Sequence, residues 1–168
     1  MTITEFYESP KGDIYSISLS SEYGGLIADD IRKELEKEGV ALVDVELNRI
    51  KGANPTTTAI ISKIGDMIAN FFFSNPNVVI CYYCDFLSQL PYVNNNKKKM
   101  SVQEYRHHLF SNMFDHYVTQ HHIENVSLAV LTIEGSSETY YVHVITRNMH
   151  LPFVAQINNG IQRDFSKP

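Results

Sequence analysis

The chain has 168 residues, 43% hydrophobic and 20% charged, the composition of a globular protein rather than a disordered or membrane one. Against about 150 residues per domain this is a single domain, able to bury about 70% of its unfolded surface without a metal or disulfide to hold it. The net charge of −5 argues against nucleic acid as a partner, which calls for a basic excess.

Residues 1–30 lack a basic start followed by an apolar run, so no secretory signal is visible. No stretch reaches the roughly 18 apolar residues that span a bilayer. Two cysteines do not make a disulfide framework. The expectation is a soluble, cytoplasmic protein.

Residues 4–8 and 13–20 read as two strands around a turn at Pro10-Lys11-Gly12-Asp13. Tyr15, Ile17 and Leu19 alternate with Ser16, Ser18 and Ser20, so one face of the second strand meets water. A helix follows over about 26–38, with Asp29 and Asp30 in its first turn, Lys37 in its last and Gly39 as its stop. Residues 40–49 alternate as a strand. Asn54 is the expected cap of a second helix and Pro55 its first residue. Ile60, Ile61, Ile64, Ile68, Phe71 and Phe72 recur at helical spacing until Pro76 closes it.

Residues 78–85 are apolar on both faces, the mark of a central strand covered on both sides. A third helix opens on the capping box Ser101-Val102-Gln103-Glu104. Its apolar stripe is Val102, Tyr105, Leu109, Met113 and Tyr117, with Arg106 and His116 within or beside it. Strands at about 126–134 and 139–147 flank a turn at Gly135-Ser136-Ser137, and the tail from about 152 is weakly patterned. The order β-β-α-β-α-β-α-β-β predicts an α+β fold: a mixed sheet of about six strands, three helices and hairpins at both ends.

The middle of the chain carries a recognisable arrangement. Asn54-Pro55 opens a helix ending in Phe71-Phe72; Val78-Val79-Ile80-Cys81-Tyr82-Tyr83-Cys84-Asp85 follows; after a loop come Arg106, Leu109, Phe110, Met113 and Phe114. Over residues 54–117 this resembles an uncharacterised family of small bacterial proteins found largely in Bacteroidetes. The resemblance implies no mechanism. Many similar sequences have Asp where this chain has Asn54, and a shorter loop than residues 86–100.

Cys81-Tyr82-Tyr83-Cys84 has the spelling of a redox motif, but a strand sets its two cysteines about 10 Å apart on opposite faces. They are expected to be inert core residues. His107, His108, His116, His121 and His122 have no pair at the i, i+3 or i, i+4 spacing of a helical metal site. Protonating all seven histidines would add seven charges to −5, giving +2, so acid sensing is open to them. Lys97-Lys98-Lys99 reads as a solvated loop tip, and no phosphate-loop, nucleophile-elbow or metalloprotease motif occurs. A buried Arg106 would need a carboxylate, and Asp85, ending the central strand, is its expected partner.

The leading reading is a non-enzymatic binding or assembly module without a cofactor. Its partner is a second copy, paired along the edge of the strand at 139–147, or another protein. The alternative is a small enzyme or binding protein for an anionic or nucleotide-like ligand, in which Asp85 orients Arg106 and His116 serves as acid or base.

Overall fold

The computed structural model describes residues 1–24, 27–54, 56–84, 101–137 and 139–165, with the backbone alone at Cys84 and Val102. Six strands form one mixed sheet: β1 (Thr2–Glu8), β2 (Ile14–Ser20), β3 (Ala41–Lys51), β4 (Val78–Cys84), β5 (Val126–Glu134) and β6 (Thr139–Arg147), in the spatial order β1-β2-β3-β4-β6-β5. The α+β class, the strand count and the hairpins at both ends agree with the sequence reading. Only β3 and β4 run parallel, joined by α2 (Thr58–Ser74); every other neighbouring pair is antiparallel. No helix among the described residues is long and apolar enough to cross a membrane.

Among the described residues the helices number four rather than three. Besides α1 (Asp29–Lys37), α2 and α3 (Val102–Gln120), the tail forms α4 (Leu151–Phe165) after a short 3₁₀ turn. Pro152 suits a helix's first turn, where a missing N–H costs nothing. Ile157, Gly160 and Ile161 bury one face of α4 against α1 and the sheet. A Cβ at Gly160 would come within 2.7 Å of Ile31 Cγ1 on α1, so the glycine that weakens the helical pattern permits the packing.

The start of α2 also differs from expectation. Thr57, not Asn54, is the cap, its hydroxyl accepting from Ile60 N, and the helix begins at Thr58. Pro55 lies outside the described residues. Asn54 turns instead to the β1–β2 hairpin, where its N–H (3.0 Å) and Nδ2 (2.9 Å) both donate to buried Asp13. These bonds, Asn54's side chain first, hold the Asp13 carboxyl below its ordinary value. Gly52 makes the approach possible: its φ is +95° and a Cβ there would lie 2.0 Å from Asp13 Oδ1.

Two apolar layers sandwich the sheet. Under α2 and α3 lie Tyr15, Ile17, Leu19, Val43, Val45, Ile80 and Ile145; under α1 and α4 lie Leu42, Val79, Cys81, Leu131, Val142 and Val144. The central strand β4 feeds both layers, as expected. Cys81 is a free, buried thiol whose ionisation burial pushes up. Arg147, at the end of β6, donates to the carbonyls of Phe72, Asn75 and Pro76 and stacks 4.2 Å over Phe72. It thereby satisfies carbonyls at the negative end of α2.

Arg32 of α1 is 1% exposed, as deep as Asp13. It pairs with Asp44 of β3 and donates to Leu42 O (3.0 Å) and Ile27 O (3.3 Å). Burial pushes the Asp44 carboxyl up, against the pull of Arg32. Removing one partner of such a pair strands the other, whereas replacing both removes the desolvation cost as well. Arg32→Met is therefore expected to cost about 3 kcal/mol, and Arg32→Met with Asp44→Leu clearly less; urea denaturation of the single and double variants measures the difference.

Candidate functional site

The three residues singled out from the sequence do not assemble into one described site. Asp85 lies outside the described residues. Arg106 is 4% exposed, on the buried side of α3. His116 is exposed. At about 100° and 1.5 Å per residue, it stands some 15 Å along the helix from Arg106 and about 80° round it. The buried stripe of α3 runs through Gln103, Arg106 and Phe110, one residue out of phase with the expected Tyr105–Leu109 line. Leu109 is only half-buried.

A histidine that the sequence reading passed over is the most buried of the seven. His143 of β6 is fully buried and aligns with Tyr141 and Ile145 toward α3. Its Nε2 lies 3.0 Å from His107 Nδ1 and 3.3 Å from Ser111 Oγ; Ser111 Oγ lies 3.5 Å from His107 Nδ1. His107 also stacks on Tyr141, with centroids 4.4 Å apart, and Phe110 packs on His143 at 4.9 Å. A catalytic relay strings its members through the two different nitrogens of one imidazole. Here the three polar atoms converge on one point, an arrangement that shares a proton rather than passing it on. The signal for the cluster was His107 and Ser111 at i, i+4 on one helical face.

Burial, with the charge of His107 behind it, lowers the His143 pKa to about 4. His107 is lowered too, by burial and then by His108, with Glu104 opposing. Among the described residues no group of three histidine, cysteine or acidic side chains could hold a metal ion.

The second candidate lies on the opposite face. Beside α1, a cleft of about 450 Å³ opens over the first four strands, lined by Thr2, Ser18, Ser20, Glu22, Glu46 and Tyr83 among others. Hydroxyl pairs rung the strands: Thr2 with Ser20 at 3.0 Å and Thr4 with Ser18 at 2.9 Å. Thr2 Oγ1 also donates to Glu22 at 2.7 Å. No lysine or arginine lines the cleft among the described residues, so it offers a phosphate no cation.

The cleft runs out to an open sheet edge. The edge anticipated at 139–147 is not one, because β6 lies between β4 and β5; among the described residues the edges are β1 and β5. On β5, Gln162 of α4 reaches over and donates to Thr132 O at 2.7 Å. On β1, the bonds Ser21 N to Met1 O (3.0 Å) and Ser9 N to Asp13 O (2.8 Å) fix the phase of the ladder. With the register Ile3↔Leu19, Glu5↔Ile17, Tyr7↔Tyr15, the odd residues bond β2. The N–H and C=O groups of Thr2, Thr4, Phe6 and Glu8 then point outward. Phe6 is 64% and Ile3 37% exposed. Edge strands are commonly blunted by charge, lysine above all, by proline, a bulge or brevity; β1 has seven residues, no lysine, no proline and an unbroken register, and its only charges are Glu5 and Glu8.

Comparison with known proteins returns no match: no family model, no curated protein and no solved structure is similar to the chain.

The histidine cluster sets a pH dependence. Unfolded, His143 binds a proton near 6.5; folded, only near 4. The unfolded state therefore binds more protons between these values, and stability falls as pH drops from about 6.5 to about 4. His143 contributes about 3 kcal/mol to that fall. Urea denaturation at pH 7, 5.5 and 4.5 should show the slope in the wild type and a flatter one in His143→Phe.

Proposed function

We propose that the protein is a non-enzymatic binding module that accepts an extended segment of a partner protein along β1. The observation that carries this reading is the phase of the β1 ladder, which leaves four residues of backbone donors and acceptors outward beside a face that no other described residue covers. Strand addition to such an edge draws affinity from main-chain bonds and specificity from alternate side chains. The convergent geometry of His107, Ser111 and His143 supports a structural rather than catalytic role for the strongest polar cluster. The free, buried Cys81 supports a reducing compartment, the cytoplasm, and the resemblance over residues 54–117 supports a bacterial one.

A second reading is binding or turnover of an anionic ligand through Asp85, Arg106 and His116. The position of Arg106 on the sheet-facing side of α3 is what keeps it in view, and the distance of His116 from that side chain weakens it.

Thr4→Pro tests the first reading. The Thr4 N–H points away from β2, so proline there blunts the edge without breaking the β1–β2 ladder. Peptides of extended type selected from a display library should be retained by the wild type and lost by Thr4→Pro, with the circular dichroism spectrum unchanged. Failure of the wild type to retain any such peptide contradicts the reading.

A further inference from the structure

The edge carries charge as well as hydrogen-bonding groups, and its charge is of one sign. β1 contains Glu5 and Glu8 and no basic residue. Glu22 adds a third carboxylate, brought beside Thr2 by the Thr2 hydroxyl bond of 2.7 Å. Carboxylates thus stand at positions 5 and 8 of β1 and, through Glu22, beside position 2. By strand alternation, Thr2 and Glu8 share the face toward the cleft with Ser20, Ser18 and Ser16, while Glu5 shares the other face with Ile17. On that second face one Glu5 oxygen accepts the Tyr7 hydroxyl at 2.5 Å, Lys63 of α2 stands 5.8 Å from the Tyr7 ring, and the charge of Asp66 reaches the same hydroxyl. The Met1 amino group sits at the Thr2 end on Ser21 Oγ, so Glu5 and Glu8 carry most of the pull.

From this we infer that the occupant of the β1 edge is a basic strand with lysine or arginine at every third position, opposite Thr2, Glu5 and Glu8, and an apolar residue opposite Phe6. The inference rests on the strand-addition reading. A period of three differs from the period of two in an ordinary amphipathic strand. It arises because Glu22 leans over position 2 on one face while Glu5 stands on the other. The spacing is symmetric about Glu5, so it serves a parallel or an antiparallel incoming strand.

A second copy fits less well. Residues opposed across an antiparallel pair share a face, so full overlap of two β1 strands centres on Glu5 and sets it against its own copy. Like charges directly opposed destabilise a strand pair, and each chain already carries a net charge of −5.

The test uses the full chain and three nine-residue peptides, fluorescently labelled and read by anisotropy. One has lysine at its second, fifth and eighth positions with valine and threonine between; one has glutamate at those positions; one has the three lysines adjacent. The spaced-lysine peptide should bind the wild type about tenfold or more tightly than either other peptide, as three cross-strand charge pairs would give. It should lose binding to Thr4→Pro and weaken about two- to fivefold with Glu5→Gln or Glu8→Gln. Equal binding of spaced-lysine and glutamate peptides, both lost in Thr4→Pro, would overturn the basic partner and leave strand addition standing. Equal binding of the spaced and adjacent lysine peptides would overturn the period of three. If Thr4→Pro left binding unchanged, if no peptide bound, or if the wild type dimerised through β1, strand addition of a basic partner would itself be refuted.

Discussion

A helix is about 10 Å across and strands lie about 4.8 Å apart, so two helices cover about four strands. The sheet has six, and each face must leave some of it bare. The two faces resolve the shortage differently. α2 reaches toward β1 while α3 lies over β4 and β6, and an apolar groove lined by Phe73, Met113 and Tyr117 remains between them. On the other face α1 and α4 close on each other, through Gly160 against Ile31 and the Arg163–Asp30 pair at 2.7 and 2.9 Å. They cover the sheet from β3 to β5 and, among the described residues, leave β1 and β2 uncovered. The serines and threonines of those strands match that exposure, and the open edge follows from it.

The buried polar groups fit a scheme of fixed registration. Arg32 ties α1 to β3 through Leu42 O and Asp44, Arg147 ties the end of β6 to α2, and His107 with Ser111 ties α3 to His143. An apolar helix face tolerates sliding by a turn, because residues three and four apart are interchangeable ridges. A buried donor or acceptor does not slide without losing its partner. The histidine cluster therefore belongs to the positioning of α3, on the face away from the proposed docking seam.

Much of the fold was legible because its signals are local. The strands at 126–134 and 139–147 match β5 and β6 to the residue, since alternation and the intervening turn lie within the segment. The Ser101 cap was readable from a three-residue spacing, and its hydroxyl accepts from Glu104 N. The fourth helix was hidden by Asn158-Asn159-Gly160, a breaker in local terms that close approach to α1 makes necessary. Arg106 drew notice as a charge on an apolar stripe. His143 did not, because a histidine alternating with valines on a strand carries no sign of which face is buried. Asn54 misled because its partner, Asp13, is 41 residues away. Strand order, and with it which edge is open, depends wholly on such long-range pairing.

Among the described residues β1 is paired on one side only, and amide hydrogen exchange of the isolated protein, read residue by residue by NMR, reports that pairing. One-sided pairing gives an alternation along a single strand: slow exchange at Ile3, Glu5 and Tyr7, whose N–H groups bond β2, and fast exchange at Thr4, Phe6 and Glu8, which face water. Slow exchange at both sets would contradict it, since the outward amides would then already have a partner.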